Sequence, residues 1–401
     1  EYTAWQQFYG EVGDVARAVA PSLLDPLPAA GDLRARTAGS IWSELVEEPL
    51  GRAIEDRFAD DLVRGVVATD ALIGTFASMD EPSLIQNRCF LYHLIGNGTG
   101  EWCVPVGGMG AVTAELLRAA TAAGAVVRTG HEVTAIAADA SGAQVTGTTT
   151  TSGGEFAVDS DWVLCGAAPA VLDRLLGRDA GHLPRGAQLK LNLLVDRLPR
   201  LRSGVDPATA FNGTLHLAES YSEIARAHAE AESGSLPSHQ PGEIYCHTLT
   251  DPSILGAELA ASGAHTLTYF GLHTPPDVFA GDHEARTREA VTRALAELDR
   301  HLVEPIEDCL TLDADGRPCL EAKTPLDIEE ALAMPGGHIF HGDLSWPWLA
   351  SDEEPATPAE AWGVATTHPR VLLCGSGARR GGAVSGIAGH NAAHAVLDFA
   401  R

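Results

Sequence analysis

The C-terminal segment constrains the fold of this chain more than any other part of it. It runs from Val371 through Leu-Leu-Cys into a glycine-rich stretch, and then into an apolar helical pattern that ends near Leu397. This order predicts a buried strand, a tight turn and a helix that opens near Ala383. The first N–H groups of a helix are unpaired and carry partial positive charge. The turn is therefore suited to an anionic or carbonyl-bearing ligand.

The residues of this turn also carry a family resemblance. The sequence reads Leu-Cys-Gly-Ser-Gly-Ala from Leu373, and Val-x-Gly-x-x-Gly-x-Asn-Ala-Ala from Val384. It resembles the C-terminal flavin-binding signature of the carotenoid desaturase-like oxidoreductases, most of all the pyridine nucleotide-disulfide oxidoreductase domain-containing proteins. Two positions depart from that signature. Ala383 stands where a third consecutive glycine is usual, and Arg380 stands where a proline is common.

Further motifs extend the resemblance over nearly the whole chain. Val104-Pro-Val-Gly-Gly-Met-Gly110 looks like the Pro-x-Gly-Gly-Met helix of the family, and it leads into a predicted strand at 125–128. The segment that begins at Asp161 resembles the strand that returns to the cofactor domain. Other matches lie at 190–199, at 324–327 and at 336–341. The ordered series is more specific than any single motif.

One part of the family pattern is missing from the sequence. Such families begin with a strand, a Gly-x-Gly-x-x-Gly turn and a helix that holds the dinucleotide pyrophosphate. This chain opens at Glu1 with a helical pattern instead. The glycines at 96–100 precede no helical pattern, and those at 107–110 follow only a short apolar run. We therefore expect the adenine-binding half to lie upstream, to lie on another chain, or to have been lost.

The resemblance implies an α/β fold with two parts. One is an FAD-binding Rossmann-like domain of the glutathione reductase type, incomplete at its N-terminus, and the other is an α+β substrate domain. The predicted division is a helical part of the substrate domain at 1–100, part of the FAD-binding domain at 101–180, the substrate domain at 181–345, and a C-terminal FAD-binding segment at 346–401. The clearest helix is predicted from Asp282 to Leu302, and an exposed loop from about Ala227 to Pro241.

Composition excludes several classes of partner. The net charge is −27 and the chain has only two lysines, Lys190 and Lys323, which argues against nucleic acid. No apolar run is long enough to predict a transmembrane helix. The seven cysteines form no Cys-x-x-Cys pair, which argues against a disulfide framework or a zinc site and favours a reducing, cytoplasmic compartment. The expected partner is a small molecule, and the sequence leaves the oligomeric state open.

Three other features of the sequence contain residue types that occur in functional sites. His338 and His341 lie three apart, and on a strand that spacing directs them to opposite faces, so no metal site is predicted. Trp346 and Trp348 are large enough to line a substrate cavity, but core packing is the favoured interpretation. The acidic run at 352–354 is interpreted as a solvated surface loop.

The resemblance implies an FAD-dependent oxidoreductase of the desaturase or dehydrogenase type. Such an enzyme passes a hydride from an apolar organic substrate to the flavin, and the flavin carries the chemistry. No catalytic side chain is assigned. The positions implied for cofactor binding are Val133, Gly375, Ser376, Gly381, Gly382, Ala383 and Val384, with Val133 at the adenine, Gly375 and Ser376 at the ribityl and phosphate portion, and Val384 at a flavin carbonyl. Two alternatives stay open: a non-catalytic binding or interaction module with half a cofactor site, and a flavin enzyme that catalyses a redox-neutral isomerisation.

Overall fold

The computed structural model of the protein describes residues 1–37, 39–96, 103–181, 183–382 and 385–400. The helices of these residues are α1 (Tyr2–Val19), α2 (Ala30–Arg34), α3 (Leu50–Arg57), α4 (Asp61–Thr69), α5 (Ile85–Ile95), α6 (Met109–Ala122), α7 (Pro169–Leu175), α8 (Pro207–Ala210), α9 (Tyr221–Glu232), α10 (His247–Thr250), α11 (Ala257–Ser262), α12 (His283–Asp299), α13 (Pro325–Leu332), α14 (Pro358–Ala361) and α15 (Ile387–Phe399). The strands are β1 (His131–Ala138), β2 (Ala143–Thr149), β3 (Glu155–Ser160), β4 (Val163–Cys165), β5 (Leu189–Val195), β6 (Leu215–Leu217), β7 (Gly242–Tyr245), β8 (His265–Gly271), β9 (Leu320–Lys323) and β10 (Val371–Leu373).

Helices α1 to α5 pack around one apolar core. In α1 the buried residues Phe8, Val12, Val15 and Val19 recur every three or four positions, so they form one stripe along the helix. This stripe packs against other members of the same core, among them Phe90 of α5. Burial of these large side chains is the main source of stability in this part of the chain.

A second core lies against a five-stranded antiparallel sheet in the order β6-β7-β8-β5-β9. Alternate residues of β5 are buried on one face of this sheet and pack in one cluster with Leu295 and Leu298 of α12. Helix α12 begins after Asp282, whose side chain accepts a hydrogen bond from the N–H of Ala285 at 3.0 Å. The helix predicted from Asp282 is therefore confirmed, although it ends at Asp299, three residues before Leu302.

Two further sheets are formed by strands β1 to β4 and β10. Strands β4 and β10 pair in parallel, with Val371 opposite Val163, and α15 packs against β10 through Ala388, Ala392 and Leu372. Strands β1, β2 and β3 form a separate antiparallel sheet. Both strands predicted from the segments at 161 and 371 are confirmed. Their parallel pairing is typical of an α/β sheet whose faces are covered by helices.

Three local predictions are wrong. Residues 125–128 form no strand in the structure, and Val126 and Val127 are 80% and 56% exposed. A strand needs a neighbour for its N–H and C=O groups, and no described strand lies beside this segment. The expected loop at 227–241 is partly helix α9, and Gln240 within it is fully buried. The segment with His338 and His341 is a turn rather than a strand, so the argument from strand faces does not apply.

Trp348 is packed in the core, as predicted, whereas Trp346 is partly exposed and lines a cavity. Trp348 is 3% exposed and belongs to the core around α1, and its ring lies 4.9 Å from that of Trp346. The acidic run is an exposed loop, as predicted, and Glu353 within it forms an ion pair with Arg379 at 2.6 Å. Among the described helices, none is both long and apolar enough to cross a membrane.

Candidate functional site

The glycine turn, residues 375–382, folds back tightly on the chain itself. The N–H of Cys374 donates to the carbonyl of Cys165 at 2.9 Å, which continues the pairing of β10 with β4. A Cβ atom on Gly375 would overlap the backbone of Gly166, and one on Gly381 would overlap the carbonyl of Ser376. These glycines therefore allow close approach of protein backbone, and the structure brings Gly375, Ser376 and Gly381 together.

Gly382 shows the same effect on a side chain. A Cβ atom there would overlap Leu344 and would lie 3.8 Å from the ring of Tyr92. The hydroxyl of Tyr92 donates to the carbonyl oxygens of Ser345 and Arg379, at 3.1 Å and 2.9 Å. Helix α5 and the segment around Leu344 thus flank the glycine turn. A cavity of about 550 Å³ lies beside it, lined in part by Leu344, Trp346 and Arg379.

Two arginines fix the turn in place. Arg380 is 2% exposed, and its guanidinium donates to the carbonyls of Ser22 and Asp25, both at 2.6 Å. Burial lowers the pKa of Arg380 to about 10, so the side chain remains charged at neutral pH. Arg379 pairs with Glu353 and donates to the backbone around Trp348. The departure from the proline of the family signature is thus explained by the contacts of Arg380.

Helix α15 begins later than the sequence predicts. Its first residue is Ile387, and Gly386 precedes it with a φ of 73° in the left-handed region that glycine tolerates. The prediction of a helix start near Ala383 is therefore wrong by about one turn. The predicted contacts of Ala383 and Val384 with the flavin lie outside the described residues.

Val133 lies on another sheet from the glycine turn. It is in β1 at a bulge, where the register with β2 shifts between Val133 and Ala135, and it is 36% exposed. No described contact joins it to residues 375–382, so the structure does not bring this position together with the other sequence-predicted residues.

The Pro-x-Gly-Gly-Met motif contacts the residue that follows α10. Gly107 and Gly108 have φ angles of 82° and 75°, which are readily accessible only to glycine. The N–H of Gly107 donates to the carboxylate of Asp251 at 2.7 Å. Asp251 follows α10 directly, and a cavity of about 530 Å³ borders this region.

This cavity lies on the face of the five-stranded sheet that is turned away from the core. We call it the polar face; the strand register places on it Lys190, Asn192, His216, Glu243, Tyr245, Thr268, Phe270, Glu321 and Lys323. The cavity is lined by Asn192, Thr268 and Glu321, together with the apolar residues Leu194 and Ile254. The only two lysines of the chain, Lys190 and Lys323, lie directly opposite each other on this face.

A buried acidic group lies at one end of the polar face. Glu243 is 2% exposed and accepts a hydrogen bond from the hydroxyl of Tyr245. Burial raises the pKa of Glu243 to about 7, although the Tyr245 hydroxyl acts in the opposite direction. The ring of His216 lies 3.8 Å away, and burial lowers the pKa of His216, so it is neutral. Sequence reasoning missed this group, and an acidic residue within a short apolar strand was the available signal.

A second buried pair lies between α4 and α5. Burial raises the pKa of Asp70, which follows α4. Burial lowers the pKa of His93. The Cys89 thiol and the Asp70 carboxylate raise it by more than burial lowers it, so the pKa is about 10. His93 follows Tyr92 in α5, so this helix joins the glycine turn to the ionisable groups near the polar face. Sequence patterns could not predict this arrangement, because Asp70 and His93 come together only in the folded chain.

The glycine turn is bordered by a polar atom that has no partner among the described residues. His341 lies against Gly377, and its Nδ1 atom is buried without a hydrogen-bond partner among the described residues. The N-terminus of α15 adds backbone N–H donors nearby in sequence. In contrast, Arg379 already forms an ion pair with Glu353, and Arg380 already donates hydrogen bonds to backbone carbonyls. These groups suit the carbonyl oxygens and ring nitrogens of a flavin, and the N–H groups of the helix start also suit its phosphates.

Comparison with known proteins shows which family the chain resembles. The family described as flavin containing amine oxidoreductase matches residues 15–272. An uncharacterized protein of Mycobacterium tuberculosis is 51% identical over 398 residues, which cover 97% of this chain and 74% of that protein. Pyridine nucleotide-disulfide oxidoreductase domain-containing protein 2 of Mus musculus is 31% identical over 408 residues, covering 94% of this chain and 65% of that protein.

The chain therefore belongs to the flavin-containing amine oxidoreductase family. The resemblance drawn from the sequence motifs is confirmed, and the protein is an FAD-dependent oxidoreductase with an FAD-binding α/β fold. Among solved structures, OxyS anhydrotetracycline hydroxylase from Streptomyces rimosus matches with a TM-score of 0.30 at 16% identity, covering 67% of this chain and 36% of that one. A TM-score this low does not support a common fold.

Proposed function

We propose that the protein oxidises an organic substrate by hydride transfer to FAD, with the flavin ring held at the glycine turn and the substrate held on the polar face. The observation that carries this proposal is the placement of helix α5 between the two. Tyr92 of α5 contacts the glycine turn, and His93, the next residue, interacts with Asp70 near Glu243. Cofactor and substrate regions are thus joined by one helix.

The residues proposed to hold the flavin are those of the glycine turn and of the following helix start. They are Gly375, Ser376, Gly381, Gly382, Ala383 and Val384, with Val133 proposed for the adenine. When bound, FAD supplies a two-electron acceptor, and the chain supplies position and exclusion of water. The contacts of Tyr92 and Arg380 hold the turn rigid, which favours a fixed orientation of the cofactor.

The proposed substrate has an apolar body. Leu194, Ile254 and Pro318 contribute apolar wall to the cavity of about 530 Å³, which is large enough for a small organic molecule. Asn192 and Thr268 on its floor supply polar groups that fix orientation. Glu243, protonated near neutral pH, is placed to hold or release a proton at the end of the polar face.

We further propose that a Gly-x-Gly-x-x-Gly unit packs on α6 and supplies the phosphate donors. Helix α6 buries none of its side chains, and Leu116 and Leu117 are 60% and 50% exposed. Val126 and Val127, a few residues after the helix, are also exposed. Exposed apolar side chains concentrated in one part of a chain often mark an interaction site. A dinucleotide-binding unit from the same polypeptide or from another chain matches the chemistry that the glycine turn lacks.

The test compares FAD content in two preparations. One is the 401-residue chain and the other carries a dinucleotide-binding unit as well. We expect the 401-residue chain to retain little FAD, because phosphate contacts of about 1.5–3 kcal/mol each are missing. The complete preparation should be yellow, with one FAD per chain by absorbance. A complete preparation without flavin would favour the binding-module alternative. Full occupancy in the 401-residue chain would refute the need for a second unit.

A second measurement separates oxidation from isomerisation. Anaerobic mixing of the FAD-loaded protein with a substrate that it converts should bleach the visible flavin absorption, because electrons are retained on the cofactor. An isomerase would convert the same compound to a product of equal mass with no lasting bleaching. Product mass and flavin absorbance measured in one reaction therefore decide between the two.

A further inference from the structure

A strained histidine lies against the glycine turn. His341 has a φ of 65°, in the left-handed region that few residues other than glycine adopt. It belongs to the histidine turn, residues 338–342, in which the N–H of His341 donates to the carbonyl of His338 at 2.9 Å. A Cβ atom on Gly377 would lie 3.6 Å from the Cβ atom of His341. The side chain therefore leaves the backbone directly beside the glycine turn.

Packing on both sides imposes this conformation. A Cβ atom on Gly74 would lie 2.5 Å from the ring of Phe340, so the segment after α4 presses on the histidine turn. On the other side, Gly337 fits against the backbone of Pro325 with no room for a side chain. A residue in a sparsely populated conformation persists only where its surroundings over-determine it, and such residues concentrate at functional sites.

The two histidines of the turn differ in their contacts. His338 is 1% exposed, and its Nδ1 accepts a hydrogen bond from the N–H of Phe340 at 3.3 Å. His341 is half-buried, and its Nδ1 is buried without a partner. No described residue makes a hydrogen bond to either ring nitrogen of His341. A buried polar atom without a partner is costly, so His338 has the contacts of a structural residue and His341 does not.

The chemistry of the His341 ring suits a flavin. Burial, with a smaller contribution from His338, lowers the pKa of His341, so the ring is neutral at physiological pH. A neutral imidazole has one N–H donor and one nitrogen acceptor. The edge of a flavin ring presents carbonyl oxygens, an N–H group and unprotonated ring nitrogens, which match both. A free phosphate would be bound better by a cation.

We propose that His341 is a cofactor-binding residue whose imidazole contacts the flavin ring beside Gly377. This inference rests on the proposed function, because it requires the flavin to lie at the glycine turn. The strain at His341 and the unpaired Nδ1 are then both explained. Glycine would relieve the strain but offers no ring, so a histidine here sacrifices stability of the empty protein for a contact with the cofactor.

The experiment uses the FAD-binding form of the protein, with FAD itself as the probe. In His341→Gly we expect the dissociation constant for FAD to rise about fivefold to tenfold, the effect of losing one hydrogen bond and its ring contact. The melting temperature of the FAD-free protein should stay unchanged or rise, because glycine adopts this φ without strain. His341→Asn, which tolerates the left-handed region and keeps hydrogen-bonding groups, should recover most of the affinity.

His338→Asn is the matched control from the same turn. It should lower the melting temperature of the FAD-free protein and leave the visible absorption maximum of bound FAD unchanged, whereas His341→Gly should shift that maximum. If His341→Gly destabilises the empty protein and leaves both FAD affinity and spectrum unchanged, His341 is structural and this inference is overturned alone. If the unsubstituted protein binds no FAD even when it carries a dinucleotide-binding unit, the inference and the proposed function are both overturned.

Discussion

Helices α4 and α6 have similar sequence patterns and opposite surroundings. In α4 the side chain of Asp60 accepts hydrogen bonds from two N–H groups of the first turn, and Gly65 packs so closely that a Cβ atom would overlap the carbonyl of Glu219. Helix α6 begins at Gly108 without a side-chain cap, and none of its residues is buried. An amphipathic pattern therefore predicts a helix in both places but does not show whether its apolar stripe has a partner.

The difference extends to the regions around the two helices. Residues 1–96 and the five-stranded sheet enclose large apolar side chains in two cores. The segment that contains α6 and residues 125–128 exposes its apolar side chains instead. Substitutions should therefore have large effects on stability in the first region and small ones in the second. When an added unit covers α6, substitutions in the second region should also have large effects on stability, and the effects in the first region should not change.

The largest contrast is expected between two leucines. Leu191 in β5 is 1% exposed, and Leu191→Ala should lower the free energy of unfolding by about 2–5 kcal/mol, because the lost burial leaves a cavity. Leu116 in α6 is 60% exposed, and Leu116→Ala should change it by less than about 0.5 kcal/mol. Urea unfolding of both variants checks this. A large loss for Leu116→Ala in the 401-residue chain would show that α6 is covered in solution.

The buried Glu243 gives a smaller effect that depends on pH. Its pKa is raised from 4.5 to about 7 by burial, so the folded protein holds the proton more tightly than the unfolded chain does. The resulting stability is complete below pH 4.5 and is lost as the pH rises through 7. At about 1.4 kcal/mol per pKa unit, the loss is up to about 3 kcal/mol.

Glu243→Gln isolates this contribution because glutamine does not ionise. Relative to the variant, the unsubstituted protein should lose stability between pH 5 and pH 8 in parallel urea titrations. Titrating groups far from Glu243 are common to both proteins and cancel in the difference, whereas His216, whose Nδ1 lies 3.8 Å from Glu243, contributes through its interaction with that residue. A constant difference across this range would mean that Glu243 ionises in the folded protein as readily as in water.

Local apolar patterns were sufficient to predict β10 and α12, and the family resemblance was sufficient to predict β4. They were insufficient where a second segment decides the outcome. Residues 125–128 have strand-forming side chains but no neighbouring strand among the described residues. The meeting of Asp70 with His93, and the burial of Glu243, depend on contacts between distant parts of the chain. The turn that contains His341 is held in part by packing of its neighbour Phe340 against Gly74, a contact between distant segments that a local pattern does not predict.

The smallest effect concerns the cap that distinguishes α4 from α6. Asp60 accepts hydrogen bonds from the N–H groups of Leu62 and Val63 at 2.9 Å and 3.1 Å. Asp60→Ala should lower the free energy of unfolding by about 1 kcal/mol, because two N–H groups lose their partner. Asp60→Asn keeps an acceptor oxygen at the same place, so it should retain most of that stability. Urea unfolding at low and high salt separates the hydrogen bonds from the attraction between the carboxylate and the helix dipole. An equal loss in Ala and Asn variants that disappears at high salt would assign the effect to charge alone, and the capped start of α4 would then not explain its difference from α6.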